Sequence, residues 1–328
     1  MSKARTALVT GGSGFIGSHL VPALLQEGWR VRCLLRKGSS LKFSHRDLIE
    51  TVTGELADRK SLKEALAEVD WVFHLAGRIK GRTRQSYFQT NREGTKNLLQ
   101  VCSEDAPSLQ GFIYVSSLSA AGPSSDGHLL QEEETPRPVS HYGESKLAAE
   151  SEAGKYTDRF PVVILRPAVV YGPGDREILL FIRLAEKGIK LHPGWSKYFF
   201  SAVYVSDVVA AMLLATRKTP EKSRIYHISD GRKYSWGEAL TLVSSLLGKK
   251  GFTVRISPRL AYPLLRGWTK LAPGANSALY LDKIKEMTYR NWVCDISRAR
   301  RELGYKPLFD FNEGMKHTIG WYRQQGWL

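Results

Sequence analysis

The sequence predicts an α/β protein, a doubly wound parallel sheet joined to a smaller, helix-rich C-terminal lobe. Short apolar runs alternate with helical stretches through the first half of the 328 residues. A glycine cluster follows the first run at once, and the rhythm breaks after Pro167. Strand and helix repeated in this order argue for parallel strands, right-handed crossovers and helices on both faces.

Ala7-Leu8-Val9-Thr10 is the first strand, and the glycines after it open a helix over 18–27 that Gly28 ends. Arg30-Val31-Arg32-Cys33-Leu34-Leu35 is the second strand. Residues 58–67 read as a helix with Asp58 at its N-cap, ahead of the strand Trp71-Val72-Phe73-His74-Leu75. A helix over 91–102, the strand Phe112-Ile113-Tyr114-Val115-Ser116, a helix over 140–153 and the strand Val162-Val163-Ile164-Leu165 complete the alternation. Beyond it, Tyr171-Gly172-Pro173-Gly174-Asp175 is turn chemistry, and 255–292 mix apolar, aromatic and basic side chains without a strand rhythm. The expected division is a cofactor domain of 1–168 plus about 203–232, with Val203-Tyr204-Val205 returning to it, and a substrate lobe of 169–202 and 233–328.

A hydrophobic fraction of 42% and a charged fraction of 24% are those of a globular chain with material for a real core. No run approaches the roughly 18 apolar residues of a membrane span. Met1-Ser2-Lys3-Ala4-Arg5-Thr6 runs straight into the first strand, so no export signal is expected and the expected location is cytoplasmic. Cys33, Cys102 and Cys294 are scattered, and the eight histidines are dispersed; reduced, buried thiols and no metal site are expected. The net charge of +16 implies affinity for something anionic, but the cations are spread along the chain and most read as solvated surface. The densest group is Arg78, Lys80, Arg82 and Arg84. Nucleic-acid binding rests on net charge alone and is not expected.

Thr10-Gly11-Gly12-Ser13-Gly14-Phe15-Ile16-Gly17 joins the first strand to the first helix, the context of a dinucleotide-binding turn in a Rossmann-type sheet. Gly11 permits the tight turn, Gly14 lets backbone approach a pyrophosphate, and Gly17 lets the helix pack on the sheet; Ser13, Phe15 and Ile16 complete the loop. The end of the second strand selects the cofactor. An NAD site usually places a carboxylate there, whereas Leu35-Arg36-Lys37 offers Arg36, whose planar donors suit a 2′-phosphate. NADP is the expected cofactor. NAD is the alternative, with Arg36 stacked on adenine or facing water.

His141-Tyr142-Gly143-Glu144-Ser145-Lys146 places Tyr142 and Lys146 on one face of a helix. A free tyrosine titrates near ~10 and is a poor base at neutral pH. A lysine ammonium and an oxidised nicotinamide beside it would stabilise the phenolate. The spacing alone is common, but here it follows the glycine loop and Val115-Ser116-Ser117 in order.

With these pieces the chain resembles the extended short-chain dehydrogenase/reductase family, the NAD-dependent epimerases and dehydratases, along nearly its full length. The stretches that carry the resemblance are the glycine loop, His74-Leu75-Ala76-Gly77, Asn91-Arg92-Glu93-Gly94-Thr95-Lys96-Asn97, Tyr114-Val115-Ser116-Ser117, the Tyr142 to Lys146 helix, Arg166-Pro167-Ala168-Val169-Val170-Tyr171-Gly172-Pro173-Gly174 and the late Asp295-Ile296-Ser297-Arg298 piece. The resemblance implies that Ser117 hydrogen-bonds the reacting oxygen, with Ser116 the near alternative. Tyr142 then exchanges the proton and Lys146 also holds the nicotinamide ribose. It implies further that Leu75, Ala76, Gly77, Pro167, Ala168 and Val170 line the cofactor's path, that Leu56 beside Glu55 meets the adenine, and that Asn91 is structural near the site.

The same pair serves alcohol oxidation, ketone reduction and sugar epimerisation within that family. Two features lean away from nucleotide sugars. Phe200-Ser201-Ala202 brings no cation to where such enzymes often meet a diphosphate, and Ser117-Leu118-Ser119 brings no acid where dehydratases carry one. The chain is more similar to the 3β-hydroxysteroid dehydrogenase-like branch. Leu260-Ala261-Tyr262-Pro263-Leu264-Leu265-Arg266-Gly267-Trp268-Thr269-Lys270-Leu271 fits a hydrophobic cover or an amphipathic helix packed on the core, and the Arg78 to Arg84 group can receive an acidic substrate group or stand as a solvated loop. The expectation is an NADP-dependent dehydrogenase or reductase acting on a hydrophobic, steroid-like or acyl substrate; a nucleotide-sugar epimerase is the alternative. The expected partners are that small molecule, a second copy in a homodimer, and an anionic membrane touched peripherally.

Overall fold

The computed structural model describes residues 4–41, 46–218, 224–271 and 280–328. β1 (Thr6–Thr10) turns into α1 (Gly17–Gln26), and β2 (Arg30–Leu35), β3 (Ile49–Thr53), α2 (Arg59–Leu66) and β4 (Trp71–His74) follow. Next come α3 (Arg84–Phe88), α4 (Gly94–Asp105), β5 (Gly111–Val115), α5 (Leu118–Ala121), α6 (His141–Ala153) and β6 (Val162–Pro167). β7 (Val169–Tyr171), α7 (Glu177–Glu186), β8 (Ile189–His192), β9 (Phe199–Phe200), β10 (Ala202–Tyr204) and α8 (Val205–Arg217) lead to β11 (Arg224–Ile228). The remainder is β12 (Tyr234–Ser235), α9 (Trp236–Leu246), β13 (Phe252–Arg255), α10 (Pro258–Leu271), α11 (Leu281–Glu286), β14 (Asn291–Trp292) and α12 (Phe311–Gln324).

Seven strands form the central sheet in the order β11-β6-β5-β4-β1-β2-β3, every neighbouring pair parallel. A sheet covered on both faces buries every position of its strands. β1, β4 and β5 are accordingly buried throughout. Ala7 and Val9 join the core under α1 and α8, while Leu8 joins that under α2, α4 and α6. The strand order reverses between β1 and β4, the switch point at whose carboxyl ends such sheets bind their ligands in a crevice.

Asp58 caps α2 by accepting from Lys60 N, as its place before an amphipathic run predicts. One element differs from the sequence reading. The helix expected over 91–102 starts earlier, as α3 and a π-helical turn (Gln89–Glu93) that runs into α4. Besides its helices the second lobe carries short strands: β7 pairs β10, β9 lies between β12 and β14, and β8 pairs β13. Strands of two to four residues carry too few positions to display a period of two. Val203 and Tyr204 belong to β10 and pair with β7, Val203 packs into the core under α1 and α8, and β11 returns to the edge of the central sheet. The three cysteines are buried and unpaired, as expected. Among the described residues, no helix is long and apolar enough to cross a membrane.

Candidate active site

At the crevice, Gly11 takes φ +77°, and a Cβ there would lie 2.7 Å from Ala76 N, so glycine lets the loop after β1 press against the turn after β4. The expected reason for Gly17 needs correction. Its missing Cβ would fall 2.3 Å from Gly11 O and 2.7 Å from Gly12 Cα, so it clears the loop's own backbone rather than the sheet. Ser13 and Gly14 are exposed, Phe15 packs edge-on against His19, and no side chain caps α1 at Ile16 or places an acid in its first turn. An uncapped helix terminus reached through exposed glycine is the donor set that suits a pyrophosphate. The residues present fit a dinucleotide.

The turn after β4 is fixed by groups that sequence reasoning assigned no such role. His74 is fully buried, with Nδ1 2.7 Å from Thr10 Oγ1 and Nε2 2.8 Å from Thr95 Oγ1. Thr95 gives its proton to Asn91 O, so Nε2 carries the imidazole hydrogen and Nδ1 accepts from Thr10. Thr10 Oγ1 in turn accepts from Ala76 N. Burial, helped by the Lys146 charge, pushes the His74 pKa down to about 3, which keeps this chain neutral. Asn91, in the π-helical turn, accepts from Arg78 N and donates to Arg78 O and Ser145 Oγ. It is a structural clamp between the turn after β4 and α6, as the resemblance implied. Gly77 is exposed beside it, and a Cβ there would stand 3.5 Å from Lys146 Nζ.

Ser140 caps α6 through Gly143 N, which sets Tyr142 and Lys146 on the face toward β5. The Ser117 side chain acts on the Tyr142 hydroxyl, and Ser117 Oγ accepts from Ser119 N. Ser116 points the other way, donating to the buried Glu150 carboxylate at 2.5 Å, and Glu150 is paired with buried Arg166. Of the two serines, the structure therefore brings Ser117 to Tyr142. Burial pushes the tyrosine's pKa well above its ordinary value; Ser117 opposes this, and Glu286 and Tyr87 add to the rise. Lys146 is buried, donates to Val115 O at 2.7 Å and lies over the Tyr114 ring, and burial lowers its pKa to about 7 against the pull of Glu150. The expected lowering of the tyrosine rests on the lysine together with an oxidised nicotinamide, and the protein's own groups leave Tyr142 raised. Lys146 spends a hydrogen bond on the strand, and its own charge is strained by burial.

The remaining expected residues fall at two places. Arg36, exposed and without an ion-pair partner among the described residues, follows β2, and Leu56 follows β3, where Gly94 gives it room and Asn97 donates to its carbonyl. Both lie across β1 and β4 from Tyr142 in the strand order. Leu75 is half-buried, its N–H donating to Thr10 O. Pro167 ends β6, Ala168 donates to Ile228 O, and Val170 pairs with Val203.

Two of the four cations after Gly77 are engaged in ion pairs. Lys80 pairs with Glu177 and lies over the Tyr280 ring, while Arg84 pairs with Glu144, so these cations are spent on holding loop, lobe and α6 together. Sequence reasoning missed Asp282 and Glu286 of α11. Asp282 accepts from His141 N and Tyr142 N, and Glu286 from Ser140 Oγ. Tyr87, whose ring lies 6.4 Å from that of Tyr142, is pushed up to about 12 by burial, with Asp282 adding to it. Of the expected cover, Leu260 and Leu264 are exposed, and the side chains from Gly267 to Leu271 lie outside the described residues.

Comparison with known proteins agrees with this geometry. The model of the NAD dependent epimerase/dehydratase family matches residues 7–229. A ceramide reductase of Caulobacter vibrioides is 33% identical, over 98% of this chain and 95% of its own length. A 3-beta-hydroxysteroid dehydrogenase of Mycolicibacterium neoaurum is 30% identical, over 96% and 90%. Among solved structures, the UDP-glucose 4-epimerase of Thermotoga maritima with UDP-glucose has a TM-score of 0.80 at 25% identity, over 98% of this chain and 99% of that one. The chain belongs to the NAD dependent epimerase/dehydratase family, the extended short-chain dehydrogenases/reductases, and is an oxidoreductase enzyme of that kind.

Proposed function

We propose that the enzyme interconverts a secondary alcohol and a ketone on a hydrophobic, steroid-like or acyl substrate, with Tyr142 as acid and base and NADP as cofactor. The observation that carries the reading is that Ser117 is the serine whose side chain acts on the Tyr142 hydroxyl, with Lys146 on the same helix and the glycine loop pressed against the turn after β4. When bound, the cofactor supplies or accepts the hydride. The chain's own part is the proton. With its pKa raised, Tyr142 is protonated at neutral pH, which suits donation to a carbonyl oxygen in the reducing direction. Ser117 Oγ is placed to hydrogen-bond that same oxygen and to fix the tyrosine's hydroxyl. Lys146, poised near neutrality, is the nearby group able to gain charge as a phenolate forms.

The hydrophobic substrate is supported by the names of the ceramide and steroid relatives and by the buried Phe200, Ser201 and Ala202, which offer no cation to a diphosphate. In this reading 1–168 with about 203–232 hold the cofactor, and 169–202 with 233–328 shape the substrate side. Epimerisation of a nucleotide sugar is the second reading, favoured by the likeness to the Thermotoga enzyme. An assay with a panel of apolar ketones separates the two: reduction changes cofactor absorbance, whereas epimerisation interconverts sugars with no net change. Tyr142→Phe is expected to lower turnover at least 100-fold; full turnover in the variant would remove the mechanism. For the cofactor, Arg36→Asp is expected to weaken NADP at least tenfold more than NAD, read by titration; equal losses would count against NADP.

A further inference from the structure

We propose that the face formed by β13, the start of α10 and the loop carrying Trp195 docks on an anionic phospholipid bilayer. The inference goes beyond the reaction and stands on the surface alone. Between Glu238 and Asp282 the sequence has no acidic residue but six cations: Lys249, Lys250, Arg255, Arg259, Arg266 and Lys270. Inside the same stretch, large apolar side chains face solvent. Phe252 is 65% exposed, Ile256 52%, Leu260 66% and Leu264 75%, and Trp195 adds 74%.

The segments that carry these five are neighbours. Ile256 N donates to His192 O, and a Cβ on Gly194, next to Trp195, would stand 3.7 Å from Ser257 Cα. Leu260 N bonds to Ser257 O, and Leu264 follows one helical turn later on the same side of α10. The parallel β8–β13 ribbon has two unlike faces, because side chains alternate. Lys190, His192 and Arg255 share one, lining a cleft of about 520 Å³ with Thr241 of α9 and Glu238, whose carboxylate is held in the capping box of that helix. Phe252 and Val254 lie on the other.

Apolar side chains flanked by cations, with no acid among them, match a bilayer whose phosphates lie just above its acyl boundary. Lys249, Lys250 and Arg259 form no ion pair among the described residues, so their charge is available. A protein interface of this size would be depleted of lysine at its centre, and a two-fold copy would set like charges against each other. Docking would also place α10, which packs on α11, at the surface; α11 is the helix that holds the Tyr142 amide.

Sedimentation of the full chain with vesicles tests this. Binding is expected to vesicles of phosphatidylcholine with about one third phosphatidylglycerol, to be at least tenfold weaker with phosphatidylcholine alone, and to fall as salt rises. Leu260→Glu with Leu264→Glu, and separately Lys249→Glu with Lys250→Glu, are each expected to weaken it at least tenfold. The melting temperature and turnover of a soluble ketone should stay at wild-type values. Absent binding, indifference to lipid charge, or undiminished binding by both variants would overturn the proposal. So would a wild-type dimer that the Leu260/Leu264 variant converts to monomer, which would assign the face to a second copy.

Discussion

The Ser116 hydroxyl ends on Glu150, and Glu150 receives two further bonds from the buried Arg166 guanidinium. Strand parity explains why the adjacent serines part company. Phe112 and Tyr114 face the core under α6, Ser116 continues that parity, and Ser117 leaves the strand as the cap of α5. The two serines were legible in the sequence, but which one meets Tyr142 depends on where the strand stops, and a pattern of residue types does not locate that. Lys146 permits a quantitative expectation at this scale. Its pKa is about 7 in the folded protein against 10.5 ordinarily, so the unfolded chain binds more protons between those values. Stability therefore rises with pH across that window, by at most about 1.4 kcal/mol per pH unit from this one group. Lys146→Met removes the contribution. Denaturation of both proteins from pH 7 to pH 10 should show the wild type gaining on the variant; a constant difference would mean that the lysine is not strained by burial.

Among the elements, the glycine loop and α1 were the most legible, because three glycines between a strand and a helix have few other readings. The physical duty of Gly17 was not, since it depends on the path of Gly11 and Gly12. Gly17→Ala forces a methyl group onto backbone atoms that cannot step aside. It is expected to cost about 1–3 kcal/mol in thermal unfolding and to weaken the cofactor at least tenfold by titration. The π-helical turn at Gln89–Glu93 was invisible for a different reason: its apolar spacing is nearly that of an α-helix. It turns Asn91 toward Arg78 and Ser145, a contact that only the assembled fold displays.

Over the whole molecule, the lobes are joined beside the reacting groups. Lys80 reaches Glu177 and Tyr280, His19 of α1 meets Pro173 O, and Asp282 takes the first amides of α6. None of this was legible, because Asp282 stands 140 residues from Tyr142 in a stretch without a periodic pattern. Asp282→Ala leaves two amides of the Tyr142 turn without their acceptor. A loss of about 1–3 kcal/mol in chemical denaturation is expected, together with at least a tenfold fall in turnover. Wild-type turnover would show that Tyr142 is held adequately by Ser140 and Ser117.

β11 closes the edge of the central sheet against β6, pairing Arg224 with Val163 after a detour of roughly sixty residues through the second lobe. During synthesis β6 therefore leaves the ribosome with one flank bare, and it stays bare while β7 through α8 are made. An unpaired strand flank with an apolar run such as Val162 to Leu165 is a template for association with other chains. In the interval between β6 and β11, association with other chains competes with closure of the sheet.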